Sequence, residues 1–186
     1  MNLSTALDVG QPVGKGDALA FSYMRLDLLR PFEVYVLDDL HGIRPVGLGI
    51  RRSDVGPSWS PDGTRMLYQS VSGGAARYWV VDPDGTNPRE LTADDHHKAL
   101  PRWSPDGTRL AYLVYHPQAD SSISNIPHLC IVAVASGETR EVPAGQILDL
   151  AWMPGGDELL AIERRGDRVT LEIYRVDGSH VGRHSE

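Results

Sequence analysis

Pro57-Ser58-Trp59-Ser60-Pro61-Asp62-Gly63-Thr64-Arg65 returns 44 residues later as Pro101-Arg102-Trp103-Ser104-Pro105-Asp106-Gly107-Thr108-Arg109. An apolar run follows each copy, Met66-Leu67-Tyr68 and Leu110-Ala111-Tyr112. A chain that repeats itself at this period builds units that cannot bury their own faces and must stack on neighbours, as propeller blades do. Each residue type in the motif has a physical task. Tryptophan ends a strand and packs between blades, proline fixes φ and cannot extend the ladder, and Asp-Gly turns the chain into the next strand. The motif is therefore structural and a poor candidate for a site.

The repeat continues outward in weaker form. Leu150-Ala151-Trp152-Met153-Pro154-Gly155-Gly156-Asp157 is a degenerate third copy, and Gly14-Lys15-Gly16-Asp17 a fourth without the tryptophan. Aligned on Gly16, Gly63, Gly107 and Gly156, the units stand 47, 44 and 49 residues apart, slightly above the roughly 40–45 of a WD-type blade. Each glycine precedes the same strand: Leu19-Ala20-Phe21, Met66-Leu67-Tyr68, Leu110-Ala111-Tyr112 and Leu159-Leu160-Ala161. A second strand follows in each unit, and then Asp/Gly reversals such as Asp82-Pro83-Asp84-Gly85 and Asp177-Gly178. These supply side-chain acceptors and positive φ, the chemistry of tight hairpins.

The expected fold class is thus all-β, a β-propeller-like array of four antiparallel four-stranded blades. They form one domain over residues 1–186, with blades at about 5–50, 55–93, 99–143 and 147–184. Leu110 and Tyr112 should be buried between blades. Inner strands are apolar on both faces, whereas Glu33 and Glu172 interrupt one face of the terminal units, as in half-exposed sheets. In an open arc, Leu19, Phe21, Leu159 and Ile173 would then contribute to uncovered outer faces. The other arrangements are a fragment of a larger propeller, a ring completed by self-association and a small closed four-bladed ring, rings of about 4 to 8 blades being viable.

Composition fits a folded chain with 41% hydrophobic and 23% charged residues, and no apolar stretch nears the ~20 residues of a membrane span. Membrane insertion is not expected. The net charge is −7, and the arginines are scattered among acids, so nucleic acid is not an expected partner. Met1-Asn2-Leu3-Ser4-Thr5 lacks the basic start and apolar core of a signal peptide. A cytoplasmic location is expected if the chain is complete, and a periplasmic or extracellular one if an N-terminal signal has been lost. The single cysteine, Cys130, falls in a core strand and reads as a buried thiol.

Trp-Ser-Pro-Asp-Gly-Thr-Arg at 59–65 and 103–109, with Val81-Asp82-Pro83-Asp84-Gly85-Thr86-Asn87 and Glu90-Leu91-Thr92 downstream, resembles the TolB-type, WD40-like (PD40) repeat. The likeness is close over 57–143, moderate over 147–180 and weak over 1–50. It implies a protein-interaction scaffold, and equally the propeller that caps prolyl oligopeptidase-like enzymes. TolB-like propellers usually carry six blades beside an α/β domain, whereas residues 1–186 read as four blades and no such domain.

Catalytic signatures are missing from the sequence: there is no Gly-x-Ser-x-Gly elbow, His-Glu-x-x-His, P-loop or Gly-x-Gly-x-x-Gly. No catalytic residue, cofactor or metal ligand is expected. One polar constellation, Asp94-Asp95-His96-His97-Lys98, falls where the family has a loop from an outer strand to the next inner strand. Its counterparts are Arg51-Arg52-Ser53-Asp54 and Gly145-Gln146-Ile147-Leu148-Asp149. Mixed charges of this kind suit a polar rim better than a metal cage, so Asp94, Asp95, His96, His97, Arg51, Arg52 and Asp54 are the candidate partner-binding residues. The expected function is a non-enzymatic protein–protein interaction module, binding a protein partner or self-associating through its terminal blades. Alternatives are the substrate-gating portion of a hydrolase whose catalytic part lies elsewhere, and a small-ligand or sugar-binding propeller.

Overall fold

The computed structural model describes residues 13–23, 32–47, 53–73, 75–116, 126–142, 144–177 and 179–183. Among these residues all regular structure is β, in four antiparallel four-stranded sheets, each a meander in chain order. Sheet 1 holds β1 (Val13–Lys15), β2 (Ala18–Tyr23), β3 (Glu33–Asp38) and β4 (Gly42–Pro45). Sheet 2 holds β5 (Ser53–Trp59), β6 (Met66–Ser72), β7 (Ala75–Val81) and β8 (Arg89–Glu90). Sheet 3 holds β9 (His97–Trp103), β10 (Arg109–Tyr115), β11 (His128–Ala133) and β12 (Thr139–Val142). Sheet 4 holds β13 (Gln146–Trp152), β14 (Glu158–Arg165), β15 (Arg168–Arg175) and β16 (His180–Arg183).

The repeated motif makes the same turn twice. Ser60 Oγ donates to Asp62 Oδ1 at 2.6 Å, and the same carboxylate accepts from Thr64 N at 3.0 Å and Thr64 Oγ1 at 2.8 Å. Ser104, Asp106 and Thr108 reproduce these bonds at 2.6, 3.0 and 2.8 Å. The three donors hold the carboxyls of Asp62 and Asp106 down at about 2, the serine hydroxyl contributing most. Gly63 and Gly107 take φ of 76° and 69°, which a residue with a Cβ adopts only at a cost. Trp59, Trp103 and Trp152 each end the first strand of their sheet.

The chain divides into two compact units, Met1–Asp95 and His96–Glu186. In the first, Ala20, Val34 and Val36 of sheet 1 pack with Met66, Tyr68 and Val81 of sheet 2. In the second, Ala111, Leu113, Leu129 and Ile131 of sheet 3 pack with Leu159, Ala161 and Tyr174 of sheet 4. There Trp152 donates its indole N–H to the Arg102 carbonyl at 2.9 Å, tying the two sheets together. Leu110 and Tyr112 are buried, as is Cys130.

Three expectations need correction. The first strands begin earlier than read: Ser53 and Asp54 open β5, His97 and Lys98 open β9, and 146–149 open β13, where loops were expected. Each of these strands carries a bulge. The extra residue breaks the period-2 pattern by which a strand is recognised. Glu172, placed on a half-exposed face, is 1% exposed. Leu159 and Phe21, assigned to uncovered faces, are 0% and 7% exposed. In sheet 4 the register puts Leu159, Ala161, Glu163, Glu172 and Tyr174 on the covered face and Leu160, Ile162, Leu171 and Ile173 on the other.

Candidate functional site

The structure removes Asp54 from the rim that the sequence suggested. Arg51 and Arg52 lie outside the described residues. Asp54 is fully buried, its amide bonded to the Phe32 carbonyl at 2.8 Å and its carboxylate pressed against Gly47, so it is no surface for a partner. Asp94 is half-buried. Asp95 is exposed and accepts from Arg77 Nε at 3.0 Å and Nη2 at 2.6 Å, while Glu90 sits 3.1 Å from the same guanidinium. These two carboxylates raise the Arg77 guanidinium above its ordinary value, the Asp95 hydrogen bond first. His97 is exposed and meets the Tyr115 ring edge-on at 5.3 Å.

His96 belongs to a different group, and sequence reading missed it. Lys98 pairs with Val114, Tyr115 with His97, and Val114 with His128. Continuing that register one step carries His96 opposite His116. Glu141 pairs with Cys130, two residues along the strand from His128 and so on the same face. One side chain from each strand, or from the residue just beyond it, thus forms a row across the end of sheet 3: His96, His116, His128, Glu141. Neighbouring rings stand 4.5 Å apart (His96 to His116) and 4.6 Å apart (His116 to His128), each edge-to-face. His128 Nδ1 contacts a Glu141 oxygen, and His116 Nε2 lies 3.8 Å from the other. Donor atoms of His116, His128 and Glu141 all fall within 4.8 Å of one another, on side chains that are partly open to solvent. No lysine or arginine forms an ion pair with Glu141 among the described residues.

A second polar group lies inside the same unit. Glu163 is fully buried and accepts from Tyr174 Oη, from Gly145 N at 3.2 Å and from Arg165 Nη2 at 3.2 Å. Buried Glu172 stands 3.6 Å from the same guanidinium and accepts from Thr170 Oγ1 at 3.0 Å. Burial raises the Tyr174 hydroxyl well above its ordinary value, and the bond to Glu163 adds to this. Glu163 and Glu172 raise that of Arg165. Two buried carboxylates sharing one guanidinium are costly to desolvate, and their bonds tie β14 and β15 to Gly145, just ahead of β13.

No family model matches the chain. Solved structures do resemble it. TolB from Acinetobacter baumannii matches with a TM-score of 0.63 at 21% identity, over 92% of this chain and 41% of that one. The acylaminoacyl peptidase of Pyrococcus horikoshii matches with a TM-score of 0.70 at 14% identity, over 96% of this chain and 32% of that one. The β-propeller domain of the trilobed protease from Pyrococcus furiosus, which has an open velcro topology, matches with a TM-score of 0.67 at 16% identity, over 98% and 58%. The chain therefore spans less than half of the TolB structure and about a third of the peptidase. With four antiparallel four-stranded sheets and these neighbours, the chain has a TolB-like β-propeller fold, consistent with an incomplete propeller.

Proposed function

We propose that this chain is a non-enzymatic protein–protein interaction module whose fourth sheet docks a further blade, supplied by a second copy of the chain. One observation carries the reading: the outer face of sheet 4 is an apolar stripe in contact with solvent. Ile162 pairs directly with Leu171, and Val169 lies two residues along on the same face. They are 36%, 39% and 59% exposed. Exposed apolar surface concentrated on one face marks an interaction site.

The repeat says what fits there. Counted from the motif, Leu160, Ile162, Leu171 and Ile173 of sheet 4 stand where Ala111, Leu113, Leu129 and Ile131 stand in sheet 3. In sheet 3 those four residues are buried against sheet 4. The stripe therefore repeats a face that this fold packs against the next blade. The matching kind of face, equivalent to the one on which Leu159 and Ala161 lie, recurs in sheet 1, where Leu19 pairs with Leu37 and Leu37 with Ile43. Leu37 and Ile43 are each 38% exposed, while Phe21 and Tyr35, farther along that face, are buried and stack on each other.

Light scattering across micromolar concentrations tests the proposal. The chain should elute as a dimer or larger species, and Leu171→Arg should return it to a monomer, because a charge on that face cannot be buried unpaired. A wild-type chain that stays monomeric throughout would overturn the reading.

A further inference from the structure

The geometry points to a divalent transition-metal site at the end of sheet 3, built by His116, His128 and Glu141, with zinc as the cation it fits best. Two imidazoles and one carboxylate are the donor types that borderline cations such as zinc take, and a three-ligand set leaves a position open for water or a fourth donor. The three donor atoms lie within 4.8 Å of one another. A tetrahedral ion with bonds of about 2.0–2.2 Å wants its ligands roughly 3.4 Å apart, so side-chain rotations of about 1 Å would close the set.

The site's position is fixed by the ladder. β10, β11 and β12 are paired in continuous register, which puts His128 and Glu141 on one face whatever their χ angles, and His116 follows directly after β10 with its ring edge-on to His128. His116 and His128 come from the two ends of the insertion that joins β10 to β11, and Glu141 from the edge strand. His96, whose ring abuts His116, is a positioning residue, restricting the rotation of that imidazole. Lys98 is the cation packed on the same face. It is buried, and its ammonium is turned to the His96 carbonyl at 3.0 Å. Its charge limits affinity without occupying the ligand atoms. Without a metal, the Glu141 carboxylate holds the row together by its contacts to His128 and His116. A cation would replace those contacts with stronger bonds.

The site is separate from the apolar stripe on sheet 4 and does not depend on its role in association. Calorimetric titration of the whole chain with zinc chloride should give one saturable site of 1:1 stoichiometry. His116→Ala and His128→Ala should each weaken it at least about tenfold, the scale on which even the outer partners of metal ligands act. His41→Ala, on an exposed turn of sheet 1, should leave it unchanged. Cobalt(II) supplies a second readout: visible absorption that saturates at one equivalent and disappears in His128→Ala, with the far-ultraviolet circular dichroism of both proteins alike. Absence of saturable zinc binding up to millimolar concentration, or binding unchanged in the His116→Ala/His128→Ala double variant, would overturn the assignment. Adding EDTA to the light-scattering experiment keeps the two tests apart.

Discussion

Leu159→Ala separates the structure from what the sequence suggests. Read as a residue on an open terminal face, Leu159 could be trimmed at little cost. In the structure it is 0% exposed and lies between its cross-strand partners Trp152 and Tyr174, in the cluster that joins sheets 3 and 4. The substitution removes three carbon atoms. At about 0.8 kcal/mol for each buried methylene, the transfer loss is about 2.4 kcal/mol. If half of the roughly 80 Å³ vacated remains as a cavity, a further ~1 kcal/mol follows at about 24 cal/mol per Å³. Two hydrogen-bonded sheets flank the position, and neither can collapse into it without breaking its ladder. The expected loss is therefore about 3–4 kcal/mol. Guanidinium denaturation of the full chain measures it, as a lower midpoint with an unchanged m-value. Leu40→Ala, on an exposed turn and 88% exposed, should stay within about 0.5 kcal/mol of wild type. A loss below about 1 kcal/mol for Leu159→Ala would refute the claim that this face joins the two sheets.

Two glycines should respond differently to alanine. At Gly145 an added Cβ would stand 2.5 Å from a Glu163 oxygen, displacing a buried carboxylate from its donors, and the expected cost is about 1–3 kcal/mol. At Gly56 the space is open but φ is +63°, so only the backbone term of about 1 kcal/mol applies. Melting curves that rank Gly56→Ala as the more damaging change would contradict this. Acid should also act through the motif turns. Asp62 and Asp106 titrate at about 2 when folded against ~3.9 unfolded. Their contribution is present above pH 4 and is lost as pH falls toward 2. The double variant Asp62→Asn/Asp106→Asn should flatten the stability profile in that window, and an unchanged slope would argue against the turns as its origin.

The blades were legible because their signal is local. Ser60, Asp62, Gly63 and Thr64 satisfy one another within five residues, so the turn's chemistry is written in consecutive letters. The starts of β5 and β9 were not legible. Gly56 and Leu100 occupy the same place in the bulge, four residues before the motif serine, at φ of 63° and 51°. Where one copy has glycine the other has leucine, and nothing in Leu100 announces the left-handed conformation it must adopt. Asp54 was misplaced on the rim for a related reason, since adjacent residues of a strand face opposite ways. Asp54, counted with its neighbours, turns inward, and His96 and His97 go to different partners. The histidine row is scattered over positions 96, 116, 128 and 141 and becomes one feature only through strand register. The parity of those positions relative to Val114 and Cys130 was the one signal available.

The stripe on sheet 4 also constrains what kind of oligomer can exist. In the association we propose, its complement is a different surface, so the contact is head-to-tail and cannot be satisfied by the same patch on both copies. Two copies that made it once would still present one unmatched face each. A discrete dimer therefore requires the contact to be made twice around a closed ring, and a rotation that fails to close would run on into a filament. The number of copies in solution thus reports the angle between successive blades.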